Sequence, residues 1–488
     1  MLFNSLQFLC FFSIVMALYF AIPYRYRWLL LLCASYLFYS YSQPGYVLLL
    51  FGSTLINYYA ALHMGKERVT PNIKKRYLIF CLLSNIGILL VFKYYNFFTQ
   101  SLTGFVGQYN ISLTIPELGL LLPIGISFYI FKNMSYAIDV YRGDKIPERH
   151  LGIYALYVAF FPQLLAGPIE RSTRLIPQLH ESFDFDYERV TKGLKLMCWG
   201  FFQKMVIADN IAPLVDAIYN HPFQYQGLPV FLGTFFYAFQ IYCDFSGYSD
   251  IAIGAAQIMG YKTMDNFNRP YFSKSIAEFW RRWHISLSSW FRDYLYIPMG
   301  GNRVAVPRWY LNLFVVMLIC GFWHGANWTF LVWGGLHGFY LVSSLITRDV
   351  RGHLVRAAGL DRMPRLHRSI KVLITFFLVC LAWIFFRANT MADALCIISN
   401  LFSGWDGAFT IKAWDTMPFF TDLKFEFVIS LIAVGILLCV QLLERQGNII
   451  DRLSAQPVWF RWPAYYFILA AILLFGNFGS KQFIYFQF

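Results

Sequence analysis

Long apolar runs separated by short polar breaks recur along this chain from its first residues almost to Phe488. They fall near residues 3–22, 28–43, 44–62, 77–98, 117–138, 151–168, 194–218, 228–260, 309–322, 326–347, 370–387, 425–443 and 464–478. Most approach the roughly 20 residues that an α-helix needs to cross a hydrocarbon core. Lipid offers backbone amides no hydrogen-bonding partner, so runs of this length predict helices rather than open strands. Some runs are short or interrupted, and the pattern predicts roughly ten to twelve crossings. The expected fold is all-α and polytopic, with no inserted soluble domain, so that residues 1–488 form one integral membrane domain.

The polar breaks orient the helices. Residues 99–116 carry no Lys or Arg, whereas 63–76 and 139–150 on either side do. Basic residues collect in cytoplasmic loops, which puts 63–76 and 139–150 inside and 99–116 outside. Counting back predicts an extracytoplasmic N-terminus with Arg25 and Arg27 inside. Counting forward puts 219–227 outside, 261–308 and 348–371 inside, and 388–424 outside. The first run lacks a basic leader and a small-residue cleavage site, and reads as a first span rather than a removable signal.

Composition narrows the class. Of 488 residues 58% are hydrophobic and only 14% charged, against about 25% charged in soluble domains. A soluble multidomain enzyme, a disordered chain and a nucleic-acid binder with an exposed basic face are excluded. The net charge of +14 gathers in 66–76, 142–149, 281–308 and 348–371, where orientation in the bilayer and attraction to anionic headgroups account for most of it. The nine cysteines are scattered through apolar stretches with no CxxC pair or zinc spacing, so no bound metal is expected.

Ionisable groups inside apolar sequence mark functional sites, and most lie within about 240–340. The first group is Gln240, Asp244, Ser246, Tyr248 and Asp250. Six helical steps turn Asp244 and Asp250 about 120° apart, which argues against a paired-carboxylate acid–base device. Interhelical hydrogen bonds around a broken helix and channel lining both remain open. The second group is the 279–294 run. A helical projection puts Trp280, Trp283, His284, Leu287, Trp290, Phe291 and Tyr294 on one side and Arg281, Arg282, Ser288, Ser289 and Arg292 on the other. An interfacial amphipathic helix is the plain reading, except that His284 lies on the aromatic side. The third is Trp323-His324-Gly325-Ala326-Asn327. His324 lies about 16 residues (324 − 308) beyond Arg308, roughly 24 Å along a helix. Glycines flank it, and its ordinary pKa suits proton transfer. His337 reads first as a packing residue. An anionic cytosolic donor docked on Arg281, Arg282 and Arg292 would reach the histidines.

The runs FWRRWHISLSSWFRDYLYIPMGGNR (279–303), GFWHGANW (321–328), LLPIGISFYIF (121–131), FPQLLAGPIER (161–171), YCDFSGYSDIAIG (242–254) and the ending QFIYFQF together resemble the membrane-bound O-acyltransferase family. Within it the similarity is to the bacterial branch that serves alginate O-acetylation and teichoic acid D-alanylation. The resemblance implies a ring of tilted helices around a thin centre, with funnels meeting at an essential histidine that maps to His324; a second family histidine maps to His284. It implies an O-acetyltransferase of the bacterial inner membrane that takes acetyl from cytoplasmic acetyl-CoA, a donor substrate rather than a bound cofactor. It further implies an extracytoplasmic SGNH-hydrolase-like partner that finishes transfer to a polysaccharide: alginate-type first, then cellulose or peptidoglycan. In that reading Trp280, Arg281, Arg282, Trp283, Arg292, Trp323, Asn327, Asp244 and Tyr248 bind substrate. The alternatives are lipid, protein or D-alanyl transfer on the same fold, separable by the width of the slot beside His324, and a non-catalytic transporter or export channel. A transporter commonly shows repeat symmetry, which is not evident in this chain.

Overall fold

A computed structural model of the chain describes residues 1–41, 43–165, 167–405, 419–478 and 483–484. Among these residues the regular structure is entirely helical. Eight helices among the described residues are long and apolar enough to cross a membrane, among them Pro71–Gly107, Leu228–Met259, Val306–His324, Trp328–Ile346 and Pro364–Arg387; Leu6–Ala21 and Met391–Leu401 are shorter apolar helices. Not every apolar run forms one continuous helix. Residues 151–168 break at Phe160 into a nine-residue helix, Leu151–Ala159, and the short Phe161–Leu164, because Pro162 starts a helix better than it continues one. Residues 77–107, by contrast, continue through a π-turn at Leu90–Tyr94, so the helix runs into what reads as a loop.

The chain divides into two compact units. The first comprises residues 1–194 and 252–264. Within it the Val47–Met64, Pro71–Leu89 and Ile126–Arg142 helices pack mutually. The first two are tied by a reciprocal amide pair, Asn57 with Asn85 at 3.0 and 3.4 Å, both buried. Such a pair satisfies side chains that lipid would leave without partners.

The second unit, residues 195–251 and 265–487, contains every residue singled out above as a candidate for chemistry or substrate binding. The Val306–His324 and Trp328–Ile346 helices form its tightest hairpin. A Cβ added to Gly321 would collide with the Phe330 carbonyl and meet Gly334 Cα at 3.0 Å. Gly321 thus serves backbone-to-backbone packing, whereas Gly325 makes room for the Phe330 ring. Asn327 caps the second helix, its side chain accepting from Thr329 N–H at 3.1 Å and donating to the Asn389 carbonyl at 3.2 Å. Leu228–Met259 is one continuous helix rather than a broken one.

The 279–294 run departs from its projected form. It folds as Ile276–Trp280, a turn, Ile285–Phe291 and a π-turn at Arg292–Tyr296. His284 is the pivot, with φ 44° and ψ 56°. A non-glycine residue there stores strain of about 1–3 kcal/mol, and persists only where its surroundings over-determine it.

Candidate active site

His324 is the last residue of its helix, at the tip of the hairpin, and is 3% exposed. Three aromatic rings meet it edge-on: Trp323 at 4.9 Å, Trp333 at 5.0 Å and Phe386 at 5.3 Å between centroids. The fourth neighbour is the His284 ring, 6.4 Å away and tilted by 59°. Two imidazoles are therefore buried as near neighbours, although forty residues (324 − 284) separate them in the chain.

The broken 279–294 segment is what brings His284 there. A straight helix would have set it in a stripe with Trp280 and Leu287; the left-handed turn swings it instead against Phe245, at 4.6 Å, and toward Trp323, at 6.1 Å. His284 is fully buried, and that burial pushes its pKa down to about 3, so the ring is neutral at physiological pH. Its Nδ1 lies 3.1 Å from Asn266 Oδ1. Asn266 also receives the Ser286 N–H at 3.3 Å and the Ser286 hydroxyl at 2.9 Å, and donates to Ser249 Oγ at 3.1 Å.

His337 stands one layer back. Its Nδ1 accepts from Trp280 Nε1 at 3.2 Å and its ring stacks on Phe279, so it locks the Ile276–Trp280 turn onto the hairpin. Trp283 is fully buried between Phe267 and Trp383, 5.0 Å from each. No group of three or more His, Cys, Asp or Glu among the described residues has metal-binding geometry.

A model of the membrane-bound O-acyltransferase family matches residues 149–386, a span that holds His284, His324 and the aromatic rings around His324. The chain is also 42% identical over 408 residues to a probable alginate O-acetylase of Pseudomonas aeruginosa, covering 83% of this chain and 75% of that protein. The chain belongs to the membrane-bound O-acyltransferase family. It is an acyltransferase and a multi-pass membrane protein. Other relatives are a peptidoglycan O-acetyltransferase of Helicobacter pylori, 37% identical over 401 residues (77% of this chain, 73% of that protein), and a teichoic acid D-alanyltransferase of Streptococcus thermophilus, 29% identical over 289 residues (54% and 68%).

The other residues expected to bind substrate divide by what they touch. Of the three arginines, Arg281 and Arg292 are exposed and Arg282 is half-buried. Arg282 pairs with Glu278 at 2.8 Å, and Arg292 with Asp293 at 2.8 Å. Asp244 is committed elsewhere: it faces Lys204 at 2.5 Å, which also contacts Asp209 at 2.9 Å, and its second oxygen accepts the Ile484 N–H at 2.8 Å. Tyr248 stacks on Phe483, 4.6 Å between centroids. Asp244 and Tyr248 thus hold the chain near its C-terminus; the remainder of the QFIYFQF ending lies outside the described residues. Sequence reasoning missed Asn266, Trp333, Phe386 and Lys204. The two aromatics are indistinguishable from core residues in an apolar run, and the partners of Asn266, like the Asp244 partner of Lys204, lie in distant segments.

Proposed function

We propose that this acyltransferase is an O-acetyltransferase that takes acetyl from acetyl-CoA at the cytoplasmic face of the bacterial inner membrane and passes it outward for O-acetylation of a polysaccharide. The observation that carries the reading is the buried His324–His284 pair, with Trp323, Trp333 and Phe386 packed edge-on around His324. His324 takes the proton from the attacking hydroxyl as the new C–O bond forms. The thioester C–S bond breaks, and the departing CoA thiolate receives that proton. His284, neutral and adjacent, shuttles it. Exclusion of water by the aromatic walls keeps the thioester from hydrolysis.

The exposed guanidiniums of Arg281 and Arg292 suit the phosphates of CoA, and loop charge supports a cytoplasmic side for them and an extracytoplasmic N-terminus. An extracytoplasmic SGNH-hydrolase-like protein completes the transfer. Alginate-type polysaccharide is the first acceptor to try, because the alginate-acetylating relative is the more similar of the two O-acetylating ones described above.

The test is consumption of acetyl-CoA by the purified protein in lipid, with a polysaccharide acceptor and an SGNH-hydrolase-like partner present, compared with His324→Ala that inserts and purifies normally. Loss of thiol release in the variant supports the reading. Equal release by both, or none by the wild type with any thioester, defeats it.

A further inference from the structure

We infer that Asn266 is a positioning residue that keeps the proton of neutral His284 on Nδ1, so that Nε2 carries the lone pair available for proton transfer. The catalytic consequence rests on the function proposed above; the tautomer does not.

The orientation of the Asn266 amide decides the matter. Its side chain is 1% exposed, and one end of it faces the backbone N–H of Ser286 at 3.3 Å. A backbone N–H only donates, so that end is the carbonyl oxygen. The other end donates to Ser249 Oγ at 3.1 Å. The atom 3.1 Å from His284 Nδ1 is therefore an acceptor. Two lone pairs facing each other at that distance in a buried site repel, whereas an Nδ1–H makes a hydrogen bond. A neutral imidazole in water favours hydrogen on Nε2. Asn266 reverses that preference.

The contact is built rather than incidental. Asn266 lies in an irregular segment between the Leu228–Met259 helix and the Pro270–Phe272 turn. Its own carbonyl accepts the Ile285 N–H at 2.9 Å, while its side chain grips Ser286. The two residues that follow the left-handed His284 are thus held by one amino acid, which fixes the ring's direction together with its tautomer. When His284 accepts a proton on Nε2 it keeps the Nδ1–H on Asn266 Oδ1. A neutral amide stabilises the resulting cation less than a carboxylate would, so the proton is readily returned.

Nitrogen-15 NMR of the full-length protein in lipid nanodiscs, labelled at histidine and assigned with His284→Gln, reads the tautomer directly. The expected wild-type spectrum has a protonated, pyrrole-type Nδ1 and a pyridine-type Nε2 for His284. Pyrrole-type Nε2 would overturn the inference without reference to any activity. Asn266→Asp keeps an acceptor toward Nδ1 and should retain the tautomer and most of the turnover. Asn266→Leu should move hydrogen to Nε2 and lower kcat by about 10- to 100-fold, with the KM for acetyl-CoA nearly unchanged. A folded Asn266→Leu protein with wild-type kcat refutes the positioning role. If that variant does not fold, the wild-type spectrum and Asn266→Asp still decide. Absence of acetyl transfer by the wild type would count against the proposed function while leaving the tautomer result standing.

Discussion

His324 and His284 differ in what holds them. His324 is confined by rings on three sides, so its replacement by Ala removes the proposed base and little of the wall. The expected result is a loss of about 10²- to 10⁴-fold in acetyl-CoA turnover, with unchanged extraction and chromatographic behaviour. His284 is held by hydrogen bonds and by a strained backbone. The His324 ring stands 6.4 Å from it, and burial depresses its pKa to about 3. In the unfolded chain it protonates near its ordinary value of 6.5. Its contribution to stability is therefore complete above that pH and is lost as pH falls toward 3. Thermal unfolding at stepped pH should show the midpoint declining across that window, with a shallower decline in His284→Gln. His324 stood out as a candidate because a histidine deep in an apolar helix has few uses. The surroundings of His284 were not legible. Asn266, Ser249 and Ser286 come from three segments, and no local pattern announces that they meet.

At the scale of elements, the hairpin of Val306–His324 and Trp328–Ile346 and the broken 276–296 segment do different work. The hairpin depends on backbone contact at Gly321 and Gly334. Gly334→Val should lower the yield of folded protein and its melting temperature, since overpacking of this kind costs about 1–3 kcal/mol or more; an unchanged melting curve would contradict the close approach. The amphipathic projection of 279–294 described its composition correctly and its geometry incorrectly. Trp280 and Trp283 fit a helical stripe as well as they fit the two short helices, and nothing in the residue type of His284 signals a left-handed turn. Continuity of Leu228–Met259 was likewise masked by its polar residues. Their partners explain them: Lys204 faces Asp244, and Gln203 donates to Asp250 at 2.7 Å. Lys204→Met leaves Asp209 and Asp244 without the cation between them. It should destabilise the protein by about 3–5 kcal/mol, measured by thermal denaturation in detergent. Restoration of the melting temperature by adding Asp244→Asn would tie the loss to that pair.

For the whole molecule, the apolar pattern was sufficient to give an all-helical membrane protein, because lipid allows so few alternatives. It did not reveal where a proline breaks a helix, as at Pro162, or where a π-turn lets one continue, as at Leu90–Tyr94. The proposed orientation is testable independently of chemistry. Reporter fusions after residue 110 should report an extracytoplasmic position and those after residue 360 a cytoplasmic one; the reverse pattern would move the donor arginines to the wrong face. The central claim is that acetyl crosses the membrane by way of His324. The most direct measurement supplies labelled acetyl-CoA to one face of proteoliposomes, with a polysaccharide acceptor and an SGNH-hydrolase-like partner at the other. Label should reach the acceptor with wild-type protein and not with His324→Gln. Equal transfer by that variant, or none by intact wild type with any thioester and partner, would contradict the account.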